Sequence, residues 1–245
     1  MFKMIVDIGN TNIKCGLFKN NNLIKTIILQ TKQYSQTFIK TIISKSKVTS
    51  VYIGSVVKNI GERIAKDVYT SFKIKAKVIS TKDFDSSFVL SPFNKKEIGL
   101  DILAFALFIK NKYKSGVGIS FGTATFAVAV NNKKIEGVVI APSILLGIHQ
   151  LSETTSLINT KGFGLLKNQL SFGKNTNQSL ASGASHMARG FISSIQEYAT
   201  KHYKINKVYI SGGKSHYLQF TDKMNNVKTI DEVILLGYNE LIKTI

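Results

Sequence analysis

Two short glycine turns carry the residues of this chain that could bind a phosphate group. The first is Asp7-Ile-Gly-Asn-Thr11, and the second, near the middle of the chain, is Gly122-Thr-Ala-Thr125. Apolar residues flank both turns, which predicts tight β-hairpins whose turns expose backbone N–H groups to a phosphate. The first turn contains an acid, Asp7, whereas Ser120 occupies the matching position before the second.

The acid in the first turn suggests a role in binding a metal ion. A carboxylate at the end of a strand can hold a hydrated Mg²⁺ against nucleotide phosphates. The turn amides and the side chains of Asn10, Thr11 and Lys14 could contact phosphate oxygens, and the threonines of the second turn could contact a γ-phosphate. An ordinary hairpin, with Asp7 bonded to its own turn, explains the same pattern. The retention of both turns in one chain favours a shared ligand.

Further polar residues precede predicted helices or follow a predicted strand. Asp101, in Gly99-Leu-Asp-Ile102, could accept the proton of a substrate hydroxyl that attacks phosphorus. Thr176, in Phe172-Gly-Lys-Asn-Thr176, could bond a polar ligand. From spacing alone, helix capping explains Asp101 better, and it explains Thr176 at least as well. Ser211-Gly-Gly213 could admit a nucleotide base or sugar to the backbone, or simply bend the chain.

Composition and missing motifs exclude several classes of function. The net charge is +19, but only Arg63 and Arg189 are arginines and the lysines are scattered, so we expect no nucleic-acid partner. The four histidines have no paired spacing and Cys15 is the only cysteine, so we expect no zinc site. No apolar run approaches a membrane span and no secretory signal is apparent, so we expect a cytoplasmic chain without membrane partners.

The elements that must position these residues occur in an order that is repeated. In the first part we predict three strands, then alternating helices and strands: Lys3–Ile8, Ile13–Phe18, Leu23–Leu29, a helix around Phe38–Ile43, Val51–Gly54, helix Ile60–Phe72, Lys75–Ile79 and helix Leu100–Tyr113. Asn20-Asn21-Asn22 is the predicted turn between the second and third strands.

The second part starts again with three strands. The three strands are Gly116–Phe121, Thr125–Val130 and Lys133–Ile140. We then predict a helix in Ser143–Leu157 started by Pro142, and a long helix over Asn175–His202. The strand Val208–Ser211 and a last helix to Ile242 follow, with Asp231 as the cap of that helix and Glu232 in its first turn. This repetition predicts an α/β fold of two duplicated halves, residues 1–113 and 114–245, with a nucleotide cleft between them.

Five short motifs resemble, in order, those of the type III pantothenate kinases, a family of the actin, sugar-kinase and Hsp70-like superfamily with two ribonuclease-H-like halves. Asp7 to Thr11 resembles the family's phosphate motif, and Gly99-Leu-Asp101 its Gly-x-Asp-Arg substrate motif. The remaining three are Ser120-Phe-Gly-Thr-Ala-Thr125, Gly137-Val-Val-Ile-Ala-Pro142 and Gly173-Lys-Asn-Thr176. The resemblance covers nearly the whole chain.

The resemblance implies ATP-dependent phosphorylation of pantothenate, the first step of coenzyme A synthesis, by a homodimer. Asp101 would be the general base, Asp7 would hold Mg²⁺ through water, and K⁺ or NH₄⁺ would be required. The implied ATP-binding residues are Asp7, Ile8, Gly9, Asn10, Thr11, Asn12, Ile13, Lys14 and Thr123, and the implied pantothenate-binding residues are Gly99, Leu100, Asp101, Ile102 and Thr176.

The chain departs from the family pattern at two important positions. Ile102 replaces the arginine of the substrate motif, a change worth about 1.5–3 kcal/mol if the lost group bonds the substrate. Ser120 replaces an aspartate that helps bind the monovalent cation, and Phe93 lies near a usual tyrosine. Two alternatives therefore stay open: a catalytically impaired nucleotide-binding relative with a regulatory role, and a kinase for another small hydroxylated substrate.

Overall fold

A computed structural model describes residues 2–88, 94, 97–132, 134–156, 158, 170–212 and 224–245. The chain divides into two compact units, one formed by Met1–Asn111 with Val233–Ile245 and the other by Lys112–Glu232. The halves 1–113 and 114–245 were predicted from the repeated order of strands and helices in the sequence. That division stays a prediction. Among the described residues, no helix has the length and apolar character needed to cross a membrane.

The first unit is built on a mixed five-stranded sheet. Its strands are β1 (Phe2–Ile8), β2 (Asn12–Lys19), β3 (Asn22–Gln30), β4 (Val48–Ser55) and β5 (Lys77–Val78), and its helices include α1 (Gln36–Ser46), α2 (Ile60–Phe72) and α3 (Leu100–Tyr113). The order across the sheet is β3-β2-β1-β4-β5. β1 is antiparallel to β2 and parallel to β4, so the strand that carries Asp7 lies in the middle of the sheet.

Alternation along β1 separates the core from the candidate site. Met4, Val6 and Ile8 pack with apolar residues of α1 and α2 on one face of the sheet. Since successive side chains of a strand point to opposite faces, Asp7 lies on the other face. The apolar residues that surround it in the sequence thus fix the direction of its carboxylate.

The second unit repeats this topology. Its elements are β6 (Ser115–Phe121), β7 (Ala124–Asn131), β8 (Lys134–Pro142), α4 (Ile144–Thr154), α5 (Thr176–Tyr203), β9 (Val208–Ser211) and β10 (Val227–Thr229). The strand order is β10-β9-β6-β7-β8, with β6 antiparallel to β7 and parallel to β9. Two mixed sheets of the same order confirm the predicted α/β fold.

The last helix, α6 (Val233–Ile242), belongs to the first unit. It packs on the sheet face that carries Asp7, where Leu235 lies against Gly16 of β2. Its Gly237 lies so close to the backbone of Ala104 in α3 that a Cβ atom would stand 1.9 Å from the Ala104 carbonyl oxygen. Helices α3 and α6 therefore approach each other closely on this face of the sheet.

Two predictions about helix starts were wrong. Pro142 is the last residue of β8, and α4 begins at Ile144 after an extended Ser143. Because β8 is an edge strand, a residue without an N–H group is tolerated there. Helix α6 begins at Val233 with no acid in its first turn. Glu232 has φ 50°, which is not a helical angle, so neither Asp231 nor Glu232 has its predicted role.

Other predictions were confirmed or fall outside the described residues. Asn20 and Asn21 have φ 49° and 67°, the left-handed angles of a two-residue hairpin turn. The short strand β10 was not predicted, because its three residues have no alternating pattern. Phe93, Gly213, His216 and most of the predicted irregular segment 162–172 lie outside the described residues.

Candidate active site

The first turn is held from beneath by Thr31. Gly9-Asn10-Thr11 joins β1 to β2, and the Gly9 N–H donates to the Asn12 carbonyl at 3.0 Å. The Thr31 N–H donates to the Thr11 carbonyl at 2.9 Å, and its hydroxyl donates to the Gly9 carbonyl at 2.7 Å. These bonds tie two turn carbonyls to the protein, while Asn10, Thr11 and Asn12 are exposed to solvent. The anchored turn can offer polar groups to an anion without rearranging.

Asp7 has two neighbours fixed by strand pairing. It is paired with Lys14 on β2 and with Gly54 on β4, so all three positions share one face of the sheet. Asp7 and Lys14 are half-buried, while Ile8 and Ile13, the next pair toward the turn, are buried. The two side chains therefore leave the same face of the sheet at paired positions below the anchored turn, where a carboxylate can hold a metal ion and an ammonium group can contact a phosphate.

Cys15, next to Lys14, belongs to the core. Its thiol is buried among the apolar residues between the sheet, α1 and α2. Burial, with a smaller contribution from Asp7, raises the pKa of Cys15 to about 12. Since the reactive form of cysteine is the thiolate, Cys15 is a packing residue rather than a nucleophile.

Asp101 is a desolvated carboxylate in the first turn of α3. Its Oδ1 accepts a hydrogen bond from the Ile102 N–H at 2.9 Å. Burial raises the pKa of Asp101, and the backbone N–H groups of Ile102 and Asp101 partly oppose that rise. Asp101 is not the N-cap residue, because it lies inside the helix and Gly99 precedes it. A desolvated carboxylate with a raised pKa is suited to accept a proton.

Tyr238 of α6 is a buried residue next to the candidate site that the sequence did not reveal. Its side chain is fully buried, and a Cβ atom at Gly54 would stand 2.4 Å from its hydroxyl oxygen. Burial, then Asp7, then Asp101 raise the pKa of Tyr238 well above its ordinary value. Both carboxylates therefore act on one buried phenol. A glycine in β4 and a tyrosine in an apolar helix were the only sequence signals, and neither indicates this contact.

The second turn is shorter, and the strand partners of the position that matches Asp7 are uncharged. Gly122-Thr123 joins β6 to β7, and the Gly122 N–H donates to the Ala124 carbonyl at 3.1 Å. Thr123 is exposed. Ser120 is buried and is paired with Phe126 on β7 and with Ser211 on β9. The position that matches Asp7 therefore offers only a neutral hydroxyl, next to an aromatic residue and a second serine.

At the start of α5, the capping residue and the predicted ligand-binding residue are two different residues. Asn175 is the N-cap residue, and its Oδ1 accepts from the Gln178 N–H at 2.9 Å. A Cβ atom at Gly173 would stand 2.2 Å from the Ser179 backbone nitrogen, so only glycine fits there. Thr176 is exposed in the first turn. Because Asn175 supplies the cap, the Thr176 hydroxyl is not needed for that purpose.

The predicted site residues are divided between the two units. Asp7 to Lys14 and Gly99 to Ile102 lie in the first, and Ser120, Thr123 and Thr176 lie in the second. Ile102 is only 5% exposed, so its side chain packs in the first unit instead of presenting a polar group. In the described part of the chain, no three histidine, cysteine or acidic side chains come close enough to hold a metal ion together.

Comparison with known proteins identifies the family. The sequence profile of the family described as type III pantothenate kinase matches residues 3–198. A type III pantothenate kinase of Malacoplasma penetrans is 30% identical over 247 residues, which cover 97% of this chain and 95% of the relative.

Solved structures agree in fold. A Campylobacter jejuni protein assigned to the Baf family of transcriptional activators superposes with a TM-score of 0.63 at 19% identity, over 98% of this chain and 97% of the other. The ROK hexokinase of Thermus thermophilus superposes with a TM-score of 0.50 at 11% identity, over 98% of both chains. Together, the profile match and the near-complete coverage of a relative show that this chain belongs to the type III pantothenate kinase family.

Proposed function

We propose that this kinase transfers the γ-phosphoryl group of ATP to the primary hydroxyl of pantothenate with Asp101 as general base. The observation that carries the proposal is the contrast between two acids of the first unit. Both side chains are half-buried, but burial raises the pKa of Asp101 in the first turn of α3, whereas Asp7 is the strand partner of Lys14 below an anchored turn. Different surroundings suit one acid to accept a proton and the other to stay charged beside a metal ion.

The proposed transfer is a direct displacement at phosphorus. The pantothenate hydroxyl oxygen forms a bond to the γ-phosphorus as the bond from that phosphorus to the bridging oxygen of ADP breaks. The hydroxyl proton passes to an Asp101 carboxylate oxygen, and ADP leaves with the electron pair of the broken bond. The ionised form of Asp101 is the active form, because only that form can accept the proton.

The nucleotide would be held by the first turn. We assign ATP to residues 7–14, with Thr123 contributing from the second unit, because the anchored turn leaves Asn10 and Thr11 exposed above the pair of Asp7 and Lys14. The residues present fit Mg²⁺, which prefers oxygen ligands and keeps several waters, so a single carboxylate and the ATP phosphates suffice. When bound, Mg²⁺ would neutralise charge on the phosphates.

The substrate side lacks a cation at position 102. We propose that Gly99, Leu100 and Thr176 contact pantothenate, with Ile102 as an apolar neighbour. A missing charged hydrogen bond is worth about 1.5–3 kcal/mol, which corresponds to binding weakened roughly 10- to 150-fold. We therefore expect pantothenate binding to be weaker than in relatives that have arginine there.

We propose that the kinase is a homodimer that works without a monovalent cation. Four large apolar side chains of β8 and α4 are exposed, namely Val139, Ile140, Leu146 and Leu151. Exposed apolar side chains of this size on two consecutive elements suit contact with a second copy. Light scattering should give twice the chain mass of 27.1 kDa.

The cation proposal follows from Ser120, whose neutral hydroxyl replaces a carboxylate. The cytoplasmic location stays a prediction.

A turnover assay tests the proposed function. The purified chain is incubated with ATP, pantothenate and Mg²⁺, and ADP and phosphorylated pantothenate are quantified. We expect equal amounts of both products. ATP binding without product would support the impaired-relative alternative, which Ile102 and Ser120 favour. ADP release with a different hydroxylated substrate only would support the alternative of another kinase.

A further inference from the structure

The Tyr238 hydroxyl is a buried donor that has no hydrogen-bond partner among the described residues. The ring is fully buried on the apolar helix α6. A buried polar group without a partner destabilises a fold, and a phenylalanine would fill the same space without that penalty. Packing in the free protein therefore does not explain why this side chain has a hydroxyl group.

Gly54 fixes the position of this hydroxyl near Asp7. A Cβ atom at Gly54 would stand 2.2 Å from Cζ of Tyr238 and 2.4 Å from its hydroxyl oxygen, so the end of the ring lies against the β4 backbone. Gly54 is the direct strand partner of Asp7. The tyrosine hydroxyl and the Asp7 side chain therefore lie on the same face of the sheet at adjacent strand positions.

The electrostatics of Tyr238 is consistent with this placement. After burial, the charge that most raises the pKa of Tyr238 is that of Asp7, and Asp101 of α3 follows. The charged groups that act on the phenol are therefore Asp7 of β1 and Asp101 of α3. The strand partner of Asp7 is Lys14 of β2. A phenol with so high a pKa keeps its proton and remains a hydrogen-bond donor near two carboxylates.

We propose that Tyr238 is a positioning residue for Asp7, whose carboxylate receives a hydrogen bond from the tyrosine hydroxyl when ATP and Mg²⁺ are bound. The inference rests on the proposed role of Asp7. A donor to one carboxylate oxygen fixes the direction of the other, which would face the hydrated metal ion. Partners of this kind typically change metal affinity or activity by about 10- to 100-fold.

Two Tyr→Phe variants of the first unit test the proposal. Tyr238→Phe removes an unpaired hydroxyl, whereas Tyr34→Phe removes one that donates to Asp67 Oδ2 at 2.8 Å. For each full-length variant and the wild type, calorimetry measures ATP affinity with Mg²⁺ and with EDTA, and a melting curve gives Tm. The ratio of the two affinities is the Mg²⁺ enhancement.

The expected results separate positioning from packing. Tyr238→Phe should keep or raise Tm, lower the Mg²⁺ enhancement by about tenfold, and leave ATP affinity in EDTA unchanged. Tyr34→Phe should lower Tm and leave the enhancement unchanged. A Tyr238→Phe variant with wild-type enhancement overturns the positioning role, whatever its Tm. A wild type without any enhancement overturns the proposed role of Asp7 and, with it, this inference.

Discussion

The two hairpins of this kinase share a topology but differ in charge. In the first unit the central strand carries Asp7, paired with Lys14 and Gly54. In the second unit the matching strand carries Ser120, paired with Phe126 and Ser211. One repeated backbone therefore carries a pair of charged residues in one copy and a neutral, buried residue in the other. The duplicated fold thus provides the turn in both units, while individual residues decide whether the turn is accompanied by charge.

The largest expected effect concerns Asp101, the proposed general base, which lies in the first unit. Asp101→Asn should lower kcat by about 10²- to 10⁴-fold, because the amide cannot take the hydroxyl proton. The rate of product formation under saturating substrates measures this effect. A variant with wild-type kcat would remove Asp101 from the mechanism.

The same variant has an opposite effect on stability. Burial raises the folded-state pKa of Asp101, so its ionised form is disfavoured in the fold and the wild type loses stability as pH rises through that pKa. Asp101→Asn should therefore unfold at a higher urea concentration than the wild type near pH 7. This advantage should disappear below the ordinary pKa of aspartate, where both side chains are neutral.

The next effect tests the comparison itself by replacing each of the two matched polar residues. Asp7→Asn should weaken ATP binding in the presence of Mg²⁺ by roughly 10- to 150-fold, the range for a lost charged hydrogen bond. Ser120→Ala should leave that affinity unchanged, because the neutral hydroxyl holds no metal ion. Calorimetric titration of ATP into both variants checks the contrast. Equal losses in the two would mean that both turns handle the nucleotide metal.

A smaller effect concerns the strands beside the two central ones. The first unit has Gly54 where the second has Ser211, because the Tyr238 ring fills the space of a side chain at position 54. Gly54→Ala should lower the free energy of unfolding by about 1–3 kcal/mol through overpacking.

Gly61→Ala in α2 is the matched control for Gly54→Ala. Its Cβ atom would meet its nearest neighbour at 3.4 Å, an ordinary contact. We expect it to be neutral or stabilising by about 0.5–1 kcal/mol, since alanine favours helices over glycine. Urea unfolding of both variants measures the difference. A Gly54→Ala protein as stable as the wild type would show that Tyr238 is free to move away from β4.

The smallest expected effect is the response to monovalent cations. Since Ser120 and Ser211 are neutral, turnover should be the same in K⁺, NH₄⁺ and Na⁺ salts at equal ionic strength. Initial rates in the three salts test this. A strong stimulation by K⁺ would assign a cation site to other groups of the chain and would weaken the contrast between the hairpins.

The repeated elements were predictable because their patterns are local. Helices α2 and α3 begin and end where the sequence predicts, and the turn at Asn20 and Asn21 has its expected left-handed angles. The start of α6 was not predictable. An acidic residue such as Glu232 favours the first turn of a helix, but the left-handed backbone of Glu232 places this residue outside α6, which begins at Val233.

The candidate site was predictable only in part, because burial and long-range contacts decide the rest. The order of motifs singled out Asp7 and Asp101 as candidates, and these stay predictions, but the raised pKa of Asp101 depends on desolvation by the fold. Tyr238 was missed, since it is more than 130 residues from both acids along the chain. Its contact with Gly54 arises only when α6 packs on the first sheet.

The most direct test of the proposed function is the formation of 4'-phosphopantothenate by the purified chain from ATP and pantothenate, with Mg²⁺ and without K⁺. The predicted result is product in equal amount to ADP for the wild type and at least a hundredfold slower formation by Asp101→Asn, the lower end of general-base effects of about 10²-fold. A folded wild type that binds ATP with Mg²⁺ yet forms no phosphopantothenate, with or without K⁺, would contradict it.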